Sequence, residues 1–583
     1  MNPHFAFADF FDQGKLNPFL SRLSQKMAAG NVCLDIKSKR ENTGETALPE
    51  LSNTEWLQHP LVGGEKDIKP FILHQNKLYL QRYFQYETHI IRCIQDMISS
   101  EDTTAAMQDL ISRSHDITSL FQQKNNAATD WQMVATLGAL LHRFHIITGG
   151  PGTGKTTSVS KLLVFMLRQN PDTRILLAAP TGKAAVRMAE SLGKTGSLFK
   201  REGINISETI LSRIRSLKPT TLHTLLGYRK GSIYFKHNAS HPLPADVVIA
   251  DECSMIDIAL FAKLLDAIGS HTKLILLGDK NQLSSVEAGS LFGDLCAALP
   301  EENSVPETYD HFLNHFTPVS KQYLQATGSQ HLLSGHITEL QHSHRFSDAG
   351  GIGKFSKAVI RQDLKTIREF WEQEDEQVKI SAAPPQHLLA SFAEQYAEYI
   401  NCPDTEKALT LMNRVKILCA VKQGAVGVYK VNAFTEQYLA QQKLIHPDHE
   451  FYENRLIMVN RNQPEIGLYN GDTGILRTIN GVMRACFLNA EGKLFSVLPA
   501  QIESMETAFA MTIHKSQGSE YDAVMMLLPP TEESPILTRE LLYTAVTRAR
   551  EKVIIAADPD VVLNTVQKGT DRVSGIINRI NPR

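Results

Sequence analysis

The stretch GGPGTGKTT at residues 149–157 follows directly on the apolar run His145-Ile146-Ile147. A short buried strand, a glycine-rich loop and a helix, in that order, build a cradle for a triphosphate. Gly149, Gly150, Pro151, Gly152, Thr153 and Gly154 let backbone N–H groups turn inward onto phosphate oxygens. Lys155 then reaches the β- and γ-phosphates, the Thr156 hydroxyl is placed to ligate Mg2+, and Thr157 continues into the helix. The full G-x-x-x-x-G-K-T spacing in this setting is far more specific than a glycine-rich turn with an exposed lysine.

A parallel α/β sheet is the fold that such a loop demands, and the flanking sequence supplies it. HIIT (145–148), RILLAAP (174–180), DVVIAD (246–251) and KLILLGD (273–279) are short Ile/Leu/Val runs separated by helical stretches. Polar groups gather where these runs end, which is where open α/β sheets bind ligands. Asp251-Glu252 is such a pair: Asp251 suits a Mg2+ shell and Glu252 suits the orientation or deprotonation of an attacking water. Gln282, in the loop after the next run, is placed to hydrogen-bond a γ-phosphate. A second α/β block follows, with KILCAV (416–421), AVMMLLP (523–529) and KVIIAAD (552–558). Between its runs, residues 452–508 alternate short strands with Asn-Gly turns, as a small inserted β-barrel would. GYRKGSIYFKHN (227–238) reads as a hairpin-like insertion whose Tyr234 and Phe235 are available to stack on bases or to pack. The aromatic segment 77–94 offers Tyr79, Tyr83, Phe84 and Tyr86 to a core or to a partner.

The 583 residues leave room for about four domains. The net charge of −2 argues against nucleic-acid binding driven by bulk charge, while leaving room for a local channel. Seven cysteines without a C-x-x-C pair point to reduced thiols and a cytoplasmic setting. Neither a signal peptide nor a membrane span is expected.

An ordered set of further motifs accompanies the loop: APTGKAA (179–185), TLHTLLG (221–227), DECSM (251–255), LLGDKNQLSSVEAG (276–289), HRF (344–346), TIHKSQGSEYD (512–522) and YTAVTRARE (543–551). Together they resemble superfamily 1 helicases, and APTGKAA and TIHKSQGSE resemble the 5′→3′ branch (1B). KILCAVKQGAVGVYKVN, SHRFSDAGGIGKFSKAV, RVSGIINR and LYLQRYFQYE resemble the RecD family, the alpha subunits of exodeoxyribonuclease V (RecBCD). The resemblance implies that Gln132 recognises adenine, that Arg345 and Arg548 reach the γ-phosphate, and that Glu520 contacts the nucleotide. It implies contacts to single-stranded DNA from Thr181, Lys183, Thr221, His223, Thr512 and His514. It implies ATP and Mg2+ as cofactors, translocation 5′→3′, a role in double-strand break repair by homologous recombination and in DNA end degradation, and a heterotrimer with RecB-like and RecC-like subunits. The nuclease site would lie on another subunit.

The fold expected on this basis is α/β, with two RecA-like parallel-sheet motor domains. Residues 1–110 would form a mainly helical, partner-docking domain. Residues 111–298 would form the first motor domain with a hairpin at about 228–244, residues 299–335 a connection, and residues 336–583 the second motor domain with an SH3-like barrel at about 452–508. Three rivals fare worse. A stand-alone helicase would carry helix-hairpin-helix repeats in a longer N-terminal region, a purely structural subunit would lack the lysine, carboxylates or arginines, and a relaxase-helicase would need a large nuclease domain.

Overall fold

The apolar run before the glycine-rich loop is the fully buried strand Phe144–Gly149. It lies second in a six-stranded sheet ordered Ile337–Leu340, Phe144–Gly149, Lys273–Gly278, Val247–Ala250, Ile175–Ala179, Thr220–Thr221. Every pairing in it is parallel. Strands of this kind are apolar along their whole length because helices cover both faces. The computed structural model describes residues 2–581, apart from 38–47, 50, 122–128, 230, 233, 300, 326–330, 348–349, 374, 384, 490–491, 531–533 and 571.

A second parallel sheet of five strands has the order Val378–Ser381, Ala549–Ala556, Tyr521–Leu527, Val415–Cys419, Ala510–Thr512. Its chain is interrupted by a five-stranded antiparallel sheet, ordered Leu494–Val497, Val482–Leu488, Thr473–Ile479, Leu456–Val459, Met505–Thr507, which keeps a small core of its own around Leu476 and Phe487. No ladder joins its two outer strands among the described residues.

Three expected boundaries shift. Strand Ile337–Leu340 pairs with Phe144–Gly149, so the first sheet runs past residue 335 and the second unit begins after residue 340. Residues 299–335 are more than a connection: Val305, Tyr309, Phe312, Leu313 and Val319 are buried in the first sheet's apolar cluster. In the N-terminal region, helices Pro3–Phe11 and Asn17–Ala28 pack on a four-stranded sheet built from strands of two to four residues. The helix Gln81–Ser99 belongs instead to the first motor core, with Ile90, Ile91, Ile94 and Met97 buried alongside Leu260, Leu264 and Leu265. Tyr79 and Phe84 are buried there too, whereas Tyr83 and Tyr86 are partly covered. In the insertion at 228–244 the described residues form only an isolated Asn238–His241 bridge.

The C-terminal tail crosses back to the first sheet. Glu87, fully buried, accepts from Gly575 N at 2.9 Å and from Arg579 Nη1 at 3.2 Å. Val32 N donates to Val573 O at 3.1 Å, and Asn581 Nδ2 donates to Ala298 O at 3.1 Å. Two segments therefore join the motor sheets, one on each side of the second sheet in sequence.

At the amino ends of the first sheet's strands, away from the glycine-rich loop, Glu101 accepts from His142 Nδ1 at 2.7 Å and from Arg143 N at 2.6 Å. His336 Nδ1 donates to Phe144 O at 2.9 Å and its Nε2 lies 3.9 Å from Glu101. Glu101, His142 and His336 are the one group among the described residues close enough to share a metal ion. The two imidazole centroids are only 3.9 Å apart, whereas a tetrahedral ion with Zn–N bonds of about 2 Å would set them about 5 Å apart. Close, tilted ring packing and hydrogen bonds to Glu101, not ligation, account for the cluster, which ties the end of the Gln81–Ser99 helix to two strands.

Burial holds His142 and His336 down to about 3, helped by Lys273 and by His142 respectively. Each is neutral when folded and takes a proton near pH 6.5 when unfolded, so stability is lost as pH falls from about 6.5 towards 3. Each contributes up to about 1.4 kcal/mol per pH unit within that window. Glu101, pushed up by burial, opposes this. The expected result is a melting midpoint that falls between pH 7 and pH 5, with a shallower slope in His142→Asn/His336→Asn; an unchanged slope in that variant contradicts the account.

Candidate active site

The 149–154 loop uses backbone that side chains resist. Gly152 (φ +77°) and Gly154 (φ +94°) are left-handed. Helix Lys155–Gln169 starts at Gly154, which has no side chain to cap it, so its first N–H groups present a ready anion site. Lys155 Nζ folds over the loop onto Gly149 O (2.5 Å) and Gly150 O (3.2 Å).

Strand Val247–Ala250 delivers the facing carboxylates. Glu252 is held at φ +53°, a left-handed conformation costly for a non-glycine residue and met where chemistry needs it. Asp251 accepts the Glu252 N–H at 2.8 Å. Burial and the Glu252 charge push Asp251 up to about 6, against the pull of Lys155. A carboxylate in that state ionises fully at neutral pH when a cation joins it. With the Thr156 hydroxyl on the same cavity, it is a fitting donor pair for Mg2+.

One cavity of about 550 Å³ collects these groups. Gln132, the loop from Pro151 to Thr157, Asp251, Glu252, Gln282, Arg345, Glu520 and Arg548 all line it. Gly149 ends the buried strand, and Gly150 faces an adjoining cavity of about 420 Å³. Gln132 Nε2 donates to Thr153 O at 3.2 Å. Gln282 Nε2 donates to Asp279 Oδ2 at 3.0 Å, and its Oε1 is buried without a partner among the described residues.

Two arrangements were not legible in the motifs. Arg345 does not reach in from the second sheet. It follows the last strand of the first sheet, and its neighbours are pinned to the loop by His344 N to Gly152 O (2.8 Å) and Ser343 Oγ to Pro151 O (3.1 Å). Across the seam Arg345 Nη2 meets Glu520 Oε1 at 2.6 Å. Arg548 does come from the second sheet, and is buried with Nε on Thr544 O (3.1 Å) and Nη1 on Ser519 O (3.3 Å). The other arrangement is a mechanical link next to Gln282. Leu283 inserts into the second sheet's apolar cluster, its N–H donates to Thr544 Oγ1 (2.9 Å) and its carbonyl accepts from Gln517 Nε2 (2.8 Å). Tyr543 OH likewise donates to Asp279 Oδ2 at 3.0 Å. Arg187 had no sequence signal as a site residue, and Tyr543 and Arg550, though within YTAVTRARE, were not singled out, because long-range convergence sets their partners.

The expected DNA contacts lie at carboxyl ends of strands in both sheets. Thr181 caps helix Gly182–Gly193 and Thr221 caps helix Leu222–Leu226, each accepting a backbone N–H at 3.2 Å. Thr512 ends its strand and accepts from Lys515 N at 3.4 Å. A capping hydroxyl oxygen still has its own O–H to donate, so capping and phosphate contact are compatible. His223 packs edge-on to Tyr228 and Phe235, and burial lowers His514. Burial also lowers Lys183 to about 8, with Asp472 of the inserted sheet opposing. Tyr234 is 71% exposed, whereas Phe235 packs against the core beneath Lys263.

The sequence matches the AAA domain family over residues 132–288 and the UvrD-like helicase C-terminal domain over residues 507–556. It is 33% identical to the RecBCD enzyme subunit RecD of Haemophilus influenzae, over 87% of this chain and 81% of that protein. It is 31% identical to the RecBCD enzyme subunit RecD of Mycolicibacterium smegmatis, over 95% of this chain and 92% of that protein. An ATP-dependent RecD2 DNA helicase of Deinococcus radiodurans is 26% identical over 71% of this chain and 47% of its own length. With these relatives at 31–33% identity over most of its length, and two parallel sheets facing one cavity, the chain belongs to the RecD family of superfamily 1 DNA helicases.

Proposed function

We propose that this chain is the 5′→3′ translocating motor of a RecBCD-type heterotrimer in the cytoplasm, drawing single-stranded DNA from duplex ends during recombinational repair and end degradation. The observation that carries the reading is the convergence of Lys155, Asp251, Glu252 and Gln282 from the first sheet with Arg548 from the second, and Arg345 at the seam, around one cavity. The chemistry of these groups is phosphoryl transfer, which depends on positioning and charge stabilisation. Lys155 leaves the loop carbonyls for phosphate oxygens, Glu252 orients the attacking water, and Arg345 and Arg548 offset the charge that develops on the γ-phosphoryl group. Asp251 and Thr156 would hold Mg2+, which supplies further charge neutralisation when bound.

Hydrolysis is coupled to movement through Gln282. Its side chain faces the cavity, and the next residue is anchored in the second sheet, so a change at the γ-phosphate is passed to the seam. Single-stranded DNA lies over Thr181, Lys183, Thr221, His223, Thr512 and His514, with contacts to the sugar-phosphate chain that ignore sequence. The exposed Tyr234 is the better placed of the two insertion aromatics to meet a base. The N-terminal unit docks on the partner subunits. The RecD names of the two longer-matching relatives support the subunit reading. The nuclease of the assembly belongs to another subunit, since the cavity's carboxylates are committed to the nucleotide.

Lys155→Ala is expected to lose DNA-stimulated ATP hydrolysis by about a hundredfold or more, and Arg548→Lys to retain nucleotide binding while hydrolysis falls by about a thousandfold. Equal rates in wild type and Lys155→Ala rule out the motor. Duplexes with a 5′ tail should unwind and those with a 3′ tail should not; the reverse preference overturns the polarity.

Lys183 makes DNA binding sensitive to pH. Its charge is half lost near pH 8, not 10.5, so affinity for oligothymidylate should weaken between pH 7 and pH 9 in wild type. Lys183→Met should bind more weakly at pH 7 and show a flatter profile. Parallel profiles for the two proteins remove Lys183 from the interface.

A further inference from the structure

Glu520 is the meeting point of three arginines from distant parts of the chain. Its Oε1 takes Nη2 of Arg345 at 2.6 Å, and the same oxygen lies 4.0 Å from Nη1 of Arg187. Its Oε2 takes Nε and Nη2 of Arg550 at 3.2 and 3.1 Å. Burial works to raise this carboxyl, but the Arg345 and Arg187 charges, with hydrogen bonds from Arg345 and Arg550, outweigh it and hold it down to about 2. Glu520 is thus a full carboxylate under any assay condition.

The two oxygens have different partners. Arg550 belongs to the same sheet as Glu520 and holds Oε2 within it. Oε1 faces the seam, where two guanidiniums address it. One is Arg345, whose Nη1 is buried without a partner among the described residues and which lines the nucleotide cavity. The other is Arg187, which also borders the cavity and sits on the helix Gly182–Gly193 that opens with the Thr181 cap and Lys183. One carboxylate oxygen therefore lies between Arg345, beside the glycine-rich loop, and an arginine carried by the helix expected to meet DNA.

We propose that Glu520 is a positioning residue that couples DNA engagement to ATP hydrolysis: when the strand draws the Gly182–Gly193 helix, Arg187 takes Oε1 and Arg345 is released to the γ-phosphate. The inference rests on the motor reading above. The movement is small. Turning the 4.0 Å approach into a charge-assisted hydrogen bond needs a shift of about 1 Å. The exchange leaves no charge stranded, because Glu520 keeps two guanidiniums throughout while Arg345 trades a carboxylate for phosphate oxygens that suit its planar fork equally well. A released Arg345 then adds charge stabilisation at the transferring phosphoryl group only when DNA is present.

The test is steady-state ATP hydrolysis by the full chain, with and without oligothymidylate, alongside direct binding of the oligonucleotide and of an ATP analogue. Arg187→Gln should bind both within about twofold of wild type and keep its KM for ATP, while its DNA-stimulated kcat falls about tenfold. Glu520→Gln should raise DNA-independent kcat and shrink the stimulation by DNA. The double variant should match Glu520→Gln alone, because Arg187 acts only through the carboxylate. Glu520→Asp, which keeps the charge but shortens the reach, takes its place should Glu520→Gln not fold, and is expected to move in the same direction. The proposal is overturned by full stimulation in Arg187→Gln, by a loss of DNA affinity in that variant that accounts for the lost stimulation, or by additive losses in the double variant. A wild-type chain that DNA does not stimulate at all defeats the motor reading itself, which separates the two failures.

Discussion

The two parallel sheets keep separate apolar cores, and the rest of the structure depends on that separation. The second sheet's cluster takes one side chain from the first sheet's part of the chain, Leu283. The hydrogen bonds across the seam join Arg345 with Glu520, Tyr543 with Asp279, and Gln517 and Thr544 with the Leu283 backbone, while Tyr469 packs on Gly182 and the C-terminal tail places Ile576 and Ile580 in the first sheet's cluster. Two units that shared a continuous core could part only by exposing it. Units whose sheets keep their own cores and meet largely through hydrogen bonds and small apolar contacts can shift at modest cost. The cavity that we propose holds the nucleotide lies at this seam, where a ligand is positioned to change the relation of one sheet to the other.

The parallel arrangement also explains why the charged groups meet. Each strand ends at the same edge of its sheet, and each turn there is free to present polar atoms. Asp251 and Glu252, Asp279 and Gln282, and the loop before Lys155 all leave adjacent strands. The cost is a half-buried carboxylate beside its neighbour, with Asp251 pushed up to about 6, and a left-handed Glu252. Such costs persist where a site needs them, and the clean apolar strands beneath supply the stability to carry them.

The features legible in the sequence were local ones. GGPGTGKTT sits between a strand and a helix because nine consecutive residues specify both the turn and its flanks, and the Ile/Leu/Val runs marked both sheets. What escaped was set by distant partners. ITEL at 337–340 is too short and mixed to mark a buried strand by pattern; its place is fixed by Phe144–Gly149, almost two hundred residues earlier. That one strand moves the domain boundary and with it Arg345, which becomes a neighbour of the loop. The N-terminal sheet was missed because its strands are two to four residues long. Glu520 read as a nucleotide contact from its motif, and it does line the cavity, but its three arginines come from residues 187, 345 and 550. The Asn-Gly turns mark the antiparallel insertion because each sits between strands that pair directly, as in Thr473–Ile479 with Val482–Leu488.

The central claim is that one nucleotide bridges two sheets that move relative to each other. The direct measurement is a distance between probes on exposed positions of the two units, Lys194 and Lys379, placed through unnatural amino acids to spare the native cysteines. The account predicts that a non-hydrolysable ATP analogue with oligothymidylate shortens that distance by several ångströms and that ADP restores it. A distance that stays constant while the analogue is shown to be bound contradicts it.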